Sequence, residues 1–178
     1  MTAGPTEDAD ADADAEAEAE AEAELELEDD EATLAIVREI FSEKIPFNKV
    51  LGVVIESLTF DSAKVRFDYR DDLVGNFVRG SLHGGVVSAT LDLTGGLVAF
   101  VGALKTMEGG TPQEKTARLA NVGTIDLRVD YLRPGIGKHF IATSFILRAG
   151  NKVAVTRMEL HNDEGEHIAV GTGAYLVG

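Results

Sequence analysis

"VRGSLHGGVVSATLDLTGGLVAF", residues 78–100, decides how the chain is read. Behind His83-Gly84-Gly85 comes an apolar run, and Asp92 is the one carboxylate inside it. Apart from His83, no other ionisable side chain lies between Arg79 and Lys105. The run from Val86 to Leu104 is long enough to imitate a membrane span. Asp92 would then sit near the bilayer centre, where a charge costs at least about 2.5 kcal/mol. Ser88, Thr90, Thr94 and the glycines add polarity to the same stretch. The segment therefore reads as a buried helix of a globular body, from about Gly84 to Leu104, with no membrane partner. A helix that is apolar nearly all round must be covered on most sides.

The flanks supply the cover. Upstream, "DDEATLAIVREIFSEKIPF" (29–47) reads as a helix that Asp29 and Asp30 start and Pro46 stops. Leu34, Val37, Ile40 and Phe41 fall on one face of it. In 50–76, Val54, Glu56, Leu58 and then Lys64, Arg66, Asp68 alternate with apolar neighbours around "FDSA", which predicts a two-stranded hairpin. Downstream, "KTMEGGTPQEKTAR" (105–118) is a polar loop. Ile125, Leu127, Val129 and Tyr131 then alternate with Asp126, Arg128 and Asp130. Three more strands follow, joined by "AGNK" and "NDEGE". The order is helix, two strands, long helix, four strands. It predicts an α+β architecture in which an antiparallel sheet of five to six strands wraps a long central helix.

Charge divides the chain. Residues 1–31 hold 15 acids and no Lys or Arg, so the formal charge of −15 belongs to them, and 32–178 are balanced. The alternating Ala/Glu repeat reads as a disordered, solvated acidic tail, because Glu16, Glu20 and Glu24 repel at i,i+4 spacing. Residues 32–178 form the folded domain. A balanced body offers no footprint for nucleic acid. The chain has no cysteine, which excludes disulfides, thiolate nucleophiles and cysteine-held metals. With no basic, then apolar, leader at its start, the expected location is cytoplasmic.

"GSLHGGVVSATLD", within "DLVGNFVRGSLHGGVVSATLDLTGG", resembles the hotdog-fold acyl-CoA thioesterases of the phenylacetate-degradation (PaaI-like) type. "VDYLRP" and "ILRAGNKVAVTRMELHNDEGEHIAVGTGAYLV" follow the same course, so the resemblance covers about residues 34–178. It implies hydrolysis of an acyl-CoA thioester with no metal or organic cofactor, by a homodimer or homotetramer whose sites lie between subunits.

Each candidate residue has a reading of its own. The amides of Gly84 and Gly85, at a helix start, are orphan donors at its positive end and suit a developing oxyanion. The same glycines would equally make a tight strand-to-helix turn. The resemblance assigns carbonyl polarisation to Gly84. A buried, unpaired carboxylate costs several kcal/mol, so Asp92 is either bonded to a hydroxyl such as Thr94 or Ser88 or works chemically. The resemblance makes it the general base or nucleophile, acting across the dimer. His83 is a helix-start residue that the resemblance sets beside the thioester as a positioning group. The family often has asparagine six residues before this histidine. Here that position is Phe77 and Asn76 is seven before, so the loop bulges by one residue or Asn76 merely turns the chain. Thr124, ten residues before Pro134, stands where the family holds its water. Arg148, Asn151 and Lys152 form a hairpin tip, or meet the phosphates of coenzyme A. Arg133 is a weaker candidate for that role.

Other chemistries lack their patterns. The four histidines show no paired ligand spacing, and "HNDEGEH" (161–167) reads as a turn between strands. No phosphate loop, dinucleotide fingerprint or Gly-x-Ser-x-Gly is present. Two rivals remain on sequence alone: a hotdog dehydratase or hydratase of an acyl thioester, and a non-catalytic acyl-CoA-binding module.

Overall fold

The computed structural model describes residues 7–107 and 109–178. Helix α1 (Glu7–Glu39) continues through a π turn at Ile40–Lys44, and Pro46 opens the short helix α2 (Pro46–Leu51). Strands β1 (Val54–Leu58) and β2 (Ser62–Asp68) form the expected hairpin. A small separate hairpin, β3 (Val74–Asn76) with β4 (Ser81–Leu82), then leads into α3 (Gly84–Lys105). Helix α4 (Pro112–Ala117) precedes β5 (Gly123–Tyr131), β6 (His139–Ala149), β7 (Val153–Asn162) and β8 (His167–Leu176).

Six strands make one antiparallel sheet in the order β1-β2-β6-β7-β8-β5. It wraps α3, as the period-two pattern requires. Val87, Leu91, Leu97, Val98 and Phe100 of α3 are buried against Val65, Phe67, Phe140, Met158 and Leu160 of the strands. Helix α3 is long and apolar enough to cross a membrane, yet 61% of its most apolar window is buried inside the fold. Burying that area at about 25 cal/mol per Å² is the main favourable term of the domain.

Two details depart from the sequence reading. Helix α1 begins at Glu7 rather than near Asp29, without a break at residue 31. Ala and Glu are strong helix formers, and here propensity outweighs like-charge spacing. From residue 19 to 29 its side chains are exposed, which leaves the acids solvated. Residues 1–6 lie outside the described residues. The polar loop after α3 also contains α4, started by a capping box. Thr111 accepts from the Glu114 amide, and the Glu114 carboxylate accepts from the Thr111 amide, with Pro112 at the first helical position.

The end of α1 is fixed by its apolar face. Val37 and Phe41 are buried, Leu34 and Ile40 pack against them, and Arg38 donates to the carbonyls of Ile55 and Leu58. Glycine lets the sheet approach α3 closely. A Cβ on Gly95 would meet the Tyr175 hydroxyl, Met158 Sδ at 2.8 Å and Thr156 Oγ1 at 2.9 Å. A Cβ on Gly96 would reach Tyr175 Cε1 at 3.4 Å, an ordinary contact. We therefore expect Gly95→Ala to destabilise the domain by about 1–3 kcal/mol through overpacking. Gly96→Ala should be neutral or gain up to about 1 kcal/mol of helix propensity. Urea denaturation of the two variants checks the contrast.

Candidate active site

The start of α3 is built by a cap. His83 stands at the N-cap in extended conformation, and its Nδ1 accepts from the Gly85 amide at 2.9 Å. The imidazole therefore carries no proton on Nδ1. This cap explains the second glycine, because a Cβ on Gly85 would come to 2.9 Å from His83 Nδ1. It also divides the labour between the two glycines. The Gly85 amide is taken by His83 and is not open to a ligand, contrary to its assignment to the substrate. Among the described residues the Gly84 amide meets no acceptor. It is the orphan donor at the positive end of a 22-residue helix.

Gly84 lines a cavity of about 410 Å³ together with Asn76, Arg79, Tyr131 and Arg133, among others. Asn76 shows both alternatives read from the sequence. The β3–β4 register slips between Val74 and Asn76, so the loop bulges. The Asn76 Oδ1 also accepts from the amides of Val78 and Arg79, at 3.2 and 3.1 Å, so it turns the chain. Phe77, six before His83, is 88% exposed. Sequence reasoning missed Arg79 and Tyr131. The Tyr131 hydroxyl donates to the Gly84 carbonyl at 2.9 Å and holds the helix start to the end of β5. Its alternation with Asp130 marked it as a strand residue, and nothing local marked the contact.

Asp92 lies eight residues further along α3, about 12 Å down the axis. Its Oδ1 accepts from Thr124 Oγ1 at 3.0 Å. The other hydroxyls considered for it are engaged elsewhere: Thr94 donates to the Thr90 carbonyl, and Ser88 to that of Gly85. Beneath it, the Tyr175 hydroxyl donates to the Asp92 carbonyl at 3.1 Å. Burial, and then the charge of Asp92, hold that hydroxyl well above its ordinary pKa, so Tyr175 stays a donor. Asp92 opens on a second cavity, of about 330 Å³, whose walls include Phe41, Ile45, Leu93, Val122 and Gly96. Phe41 lies in the π turn that follows α1 and Ile45 just after it; the sequence marked Phe41 as part of an apolar helix face and did not single out Ile45.

One chain thus carries two separate clusters of candidate residues. Gly84 with Asn76, Arg79 and Arg133 faces one cavity, and Asp92 with Thr124 faces another. Both touch β5, Thr124 near its start and Tyr131 at its end. Arg133 also donates to the His167 carbonyl at 3.0 Å. Arg148, Asn151 and Lys152 are not brought to either cavity. They sit exposed at the β6–β7 turn, where Asn151 faces the far end of α3 near Ala103 and Met107.

The chain is similar to known proteins along most of its length. The model of the thioesterase superfamily matches residues 79–169. The Escherichia coli K12 medium/long-chain acyl-CoA thioesterase YigI is 47% identical over 148 residues, 83% of this chain and 96% of the relative. A Shewanella oneidensis structure related to the thioesterase superfamily superposes with a TM-score of 0.77 at 47% identity, covering 82% of this chain and 95% of that one. The E. coli PaaI protein of the phenylacetic acid degradation operon shares the fold, with a TM-score of 0.67 at 18% identity over 84% of this chain and 96% of that one.

The cap makes a direct prediction. His83→Ala should lose about 1 kcal/mol of stability, the usual cost of an N-cap. His83→Asn, a strong capping residue, should recover most of it. Chemical denaturation midpoints decide. Equal midpoints for the two variants would leave the cap without a stabilising role.

Proposed function

The chain belongs to the thioesterase superfamily, and on that premise we propose how its two half-sites work. The reaction is hydrolysis of an acyl-CoA thioester to the free acid and the coenzyme A thiol. Membership of a hydrolase family, with a relative named as a thioesterase, sets this above the hydratase and binding-module readings.

Asp92 acts as general base. Thr124 orients one carboxylate oxygen at 3.0 Å, and the carboxylate so held takes a proton from the attacking water. That water gives its proton to Asp92 as its oxygen attacks the thioester carbon. The negative charge moves to the carbonyl oxygen, where the Gly84 amide and the positive end of α3 stabilise it. The carbon–sulfur bond then breaks, and the leaving sulfur takes the proton that Asp92 holds, which gives the thiol and restores the carboxylate. The acyl chain lies in the apolar cavity beside Phe41, Ile45 and Val122, which favours a medium or long chain over a charged acid. Arg79 and Arg133, on the Gly84 side, suit the phosphates of coenzyme A. Substrates of this kind put the enzyme in the cytoplasm.

The observation that carries this reading is the separation of Gly84 from Asp92 on one buried helix. Gly84 and Asp92 are eight residues apart, about 12 Å along α3, too far for one thioester carbonyl to meet both on a single chain. A second copy completes the site. Strand β5 is an edge of the sheet, with Ile125, Tyr131 and Leu132 exposed by 57, 55 and 48%. Exposed edges of this kind invite another strand. Antiparallel pairing of two β5 edges about a two-fold axis near Leu127 and Arg128 sets Thr124 of one copy opposite Tyr131 of the partner subunit. Asp92 then faces the partner's Gly84. A homodimer is the minimum active unit, and a dimer of dimers keeps the same sites.

Asp92→Asn should lower kcat on acyl-CoA by about 10²–10⁴-fold, the usual worth of a general base, with thermal unfolding little changed. Release of free thiol measures it, and an unaltered kcat would reject the assignment. Arg79→Ala and Arg133→Ala should raise KM for acyl-CoA. They should leave KM unchanged for the matching acyl-pantetheine, which lacks the nucleotide phosphates.

A further inference from the structure

The turn read from "HNDEGEH" is present, and it brings two histidines together on the face of the sheet opposite α3. On β7, Met158 and Leu160 are buried towards the helix, so Glu159 and His161 alternate to the outer face. On β8, His167 is the direct cross-strand partner of His161. The two rings stack with centroids 4.5 Å apart at 15°. One donor atom from each of Glu159, His161 and His167 lies within 4.8 Å of the others. All three residues are half-buried. His167 Nε2 is buried and has no hydrogen-bond partner. A buried polar nitrogen without a partner is costly and calls for an explanation. Among the described residues, Glu159 forms no ion pair either.

We propose that Glu159, His161 and His167 bind one divalent transition-metal ion of the zinc type, apart from the thioesterase site. Two imidazoles and a carboxylate suit zinc and its neighbours, not magnesium or calcium. Tetrahedral zinc, with bonds of about 2.0–2.2 Å, needs donors roughly 3.3 Å apart. Closing the present spacing takes a rotation of the two stacked rings so that both ring planes contain the ion. The scaffold is rigid, because Asn162 ties the turn by accepting from the amides of Glu164 and Glu166 and donating to the Ile136 carbonyl. Ligands on strands held in this way are preorganised. Bound through Nε2, the ion gives the unpartnered His167 nitrogen a role and joins the ends of β7 and β8. The Arg133 guanidinium is anchored there on the His167 carbonyl.

The test is calorimetric titration of the tag-free full chain with zinc chloride, with magnesium chloride as the control. One zinc per chain should bind at micromolar concentration, and magnesium should show no heat of binding. His161→Gln and His167→Gln should each weaken zinc binding at least tenfold, and Glu159→Gln by less. All three should keep the wild-type circular dichroism and the wild-type rate of thioester hydrolysis without metal. If a glutamine variant fails to fold, histidine NMR of the wild type decides instead. Zinc should shift the ring signals of His161 and His167 and leave those of His83 and His139 in place. No saturable binding by the wild type would overturn the proposal. So would undiminished binding in a folded His161→Gln, His167→Gln double variant, or zinc shifts confined to His83 or His139.

Discussion

The bond from Thr124 Oγ1 to Asp92 Oδ1 joins the central helix to the edge strand of the sheet, and the remaining chemistry is arranged around it. A carboxylate inside an apolar helix is tolerable only where something polar meets it. Here one oxygen is met by a hydroxyl of β5, and the helix beneath is braced by Tyr175. Because β5 is an edge, the same contact places the carboxylate at the border of the sheet. Burial of α3 fixes the helix, and the helix fixes the distance of about 12 Å between Asp92 and its own N-terminus, which on the proposed reading separates base from oxyanion donor. On the proposed reading, dimerisation supplies the missing half.

Glycine carries the other half of the design. Gly85 lets the His83 ring cap the helix, and that cap leaves Gly84 as the unpaired donor. Gly95 lets Tyr175 and Met158 close on the helix from the sheet side. The two pairs of adjacent glycines look alike in sequence. One serves a helix start, and the other serves packing.

Much of this was legible from residues. The period-two pattern after residue 121 and the apolar run of α3 predict the sheet and the helix it wraps. The resemblance brought the right family, and Thr124 does stand beside Asp92. What stayed hidden was long-range. Tyr131 reaches Gly84 across 47 positions, and Tyr175 reaches Asp92 across 83, which no local pattern encodes. Phe41 looked like core because an apolar face reads the same whether it meets protein or a cavity. The hairpin tip at Arg148, Asn151 and Lys152 was assigned to the ligand by analogy, and in the single chain it lies at the other end of α3. The α1 boundary was missed because charge repulsion was weighed above the helix propensity of alternating Ala and Glu.

The central claim is that each site takes Asp92 from one subunit and the Gly84 amide from the other. Subunit mixing tests it directly. Gly84→Pro removes only that amide, since proline suits the first helical position and His83, at φ −64° and ψ 136°, already has the extended backbone that precedes proline. Gly84→Pro and Asp92→Asn proteins should each be nearly inactive. A hybrid dimer has one site with both defects and one with neither. An equal, randomly exchanged mixture should therefore recover about a quarter of the wild-type activity. A mixture whose hybrids are seen by native mass spectrometry, yet which is no more active than its parents, would contradict the account.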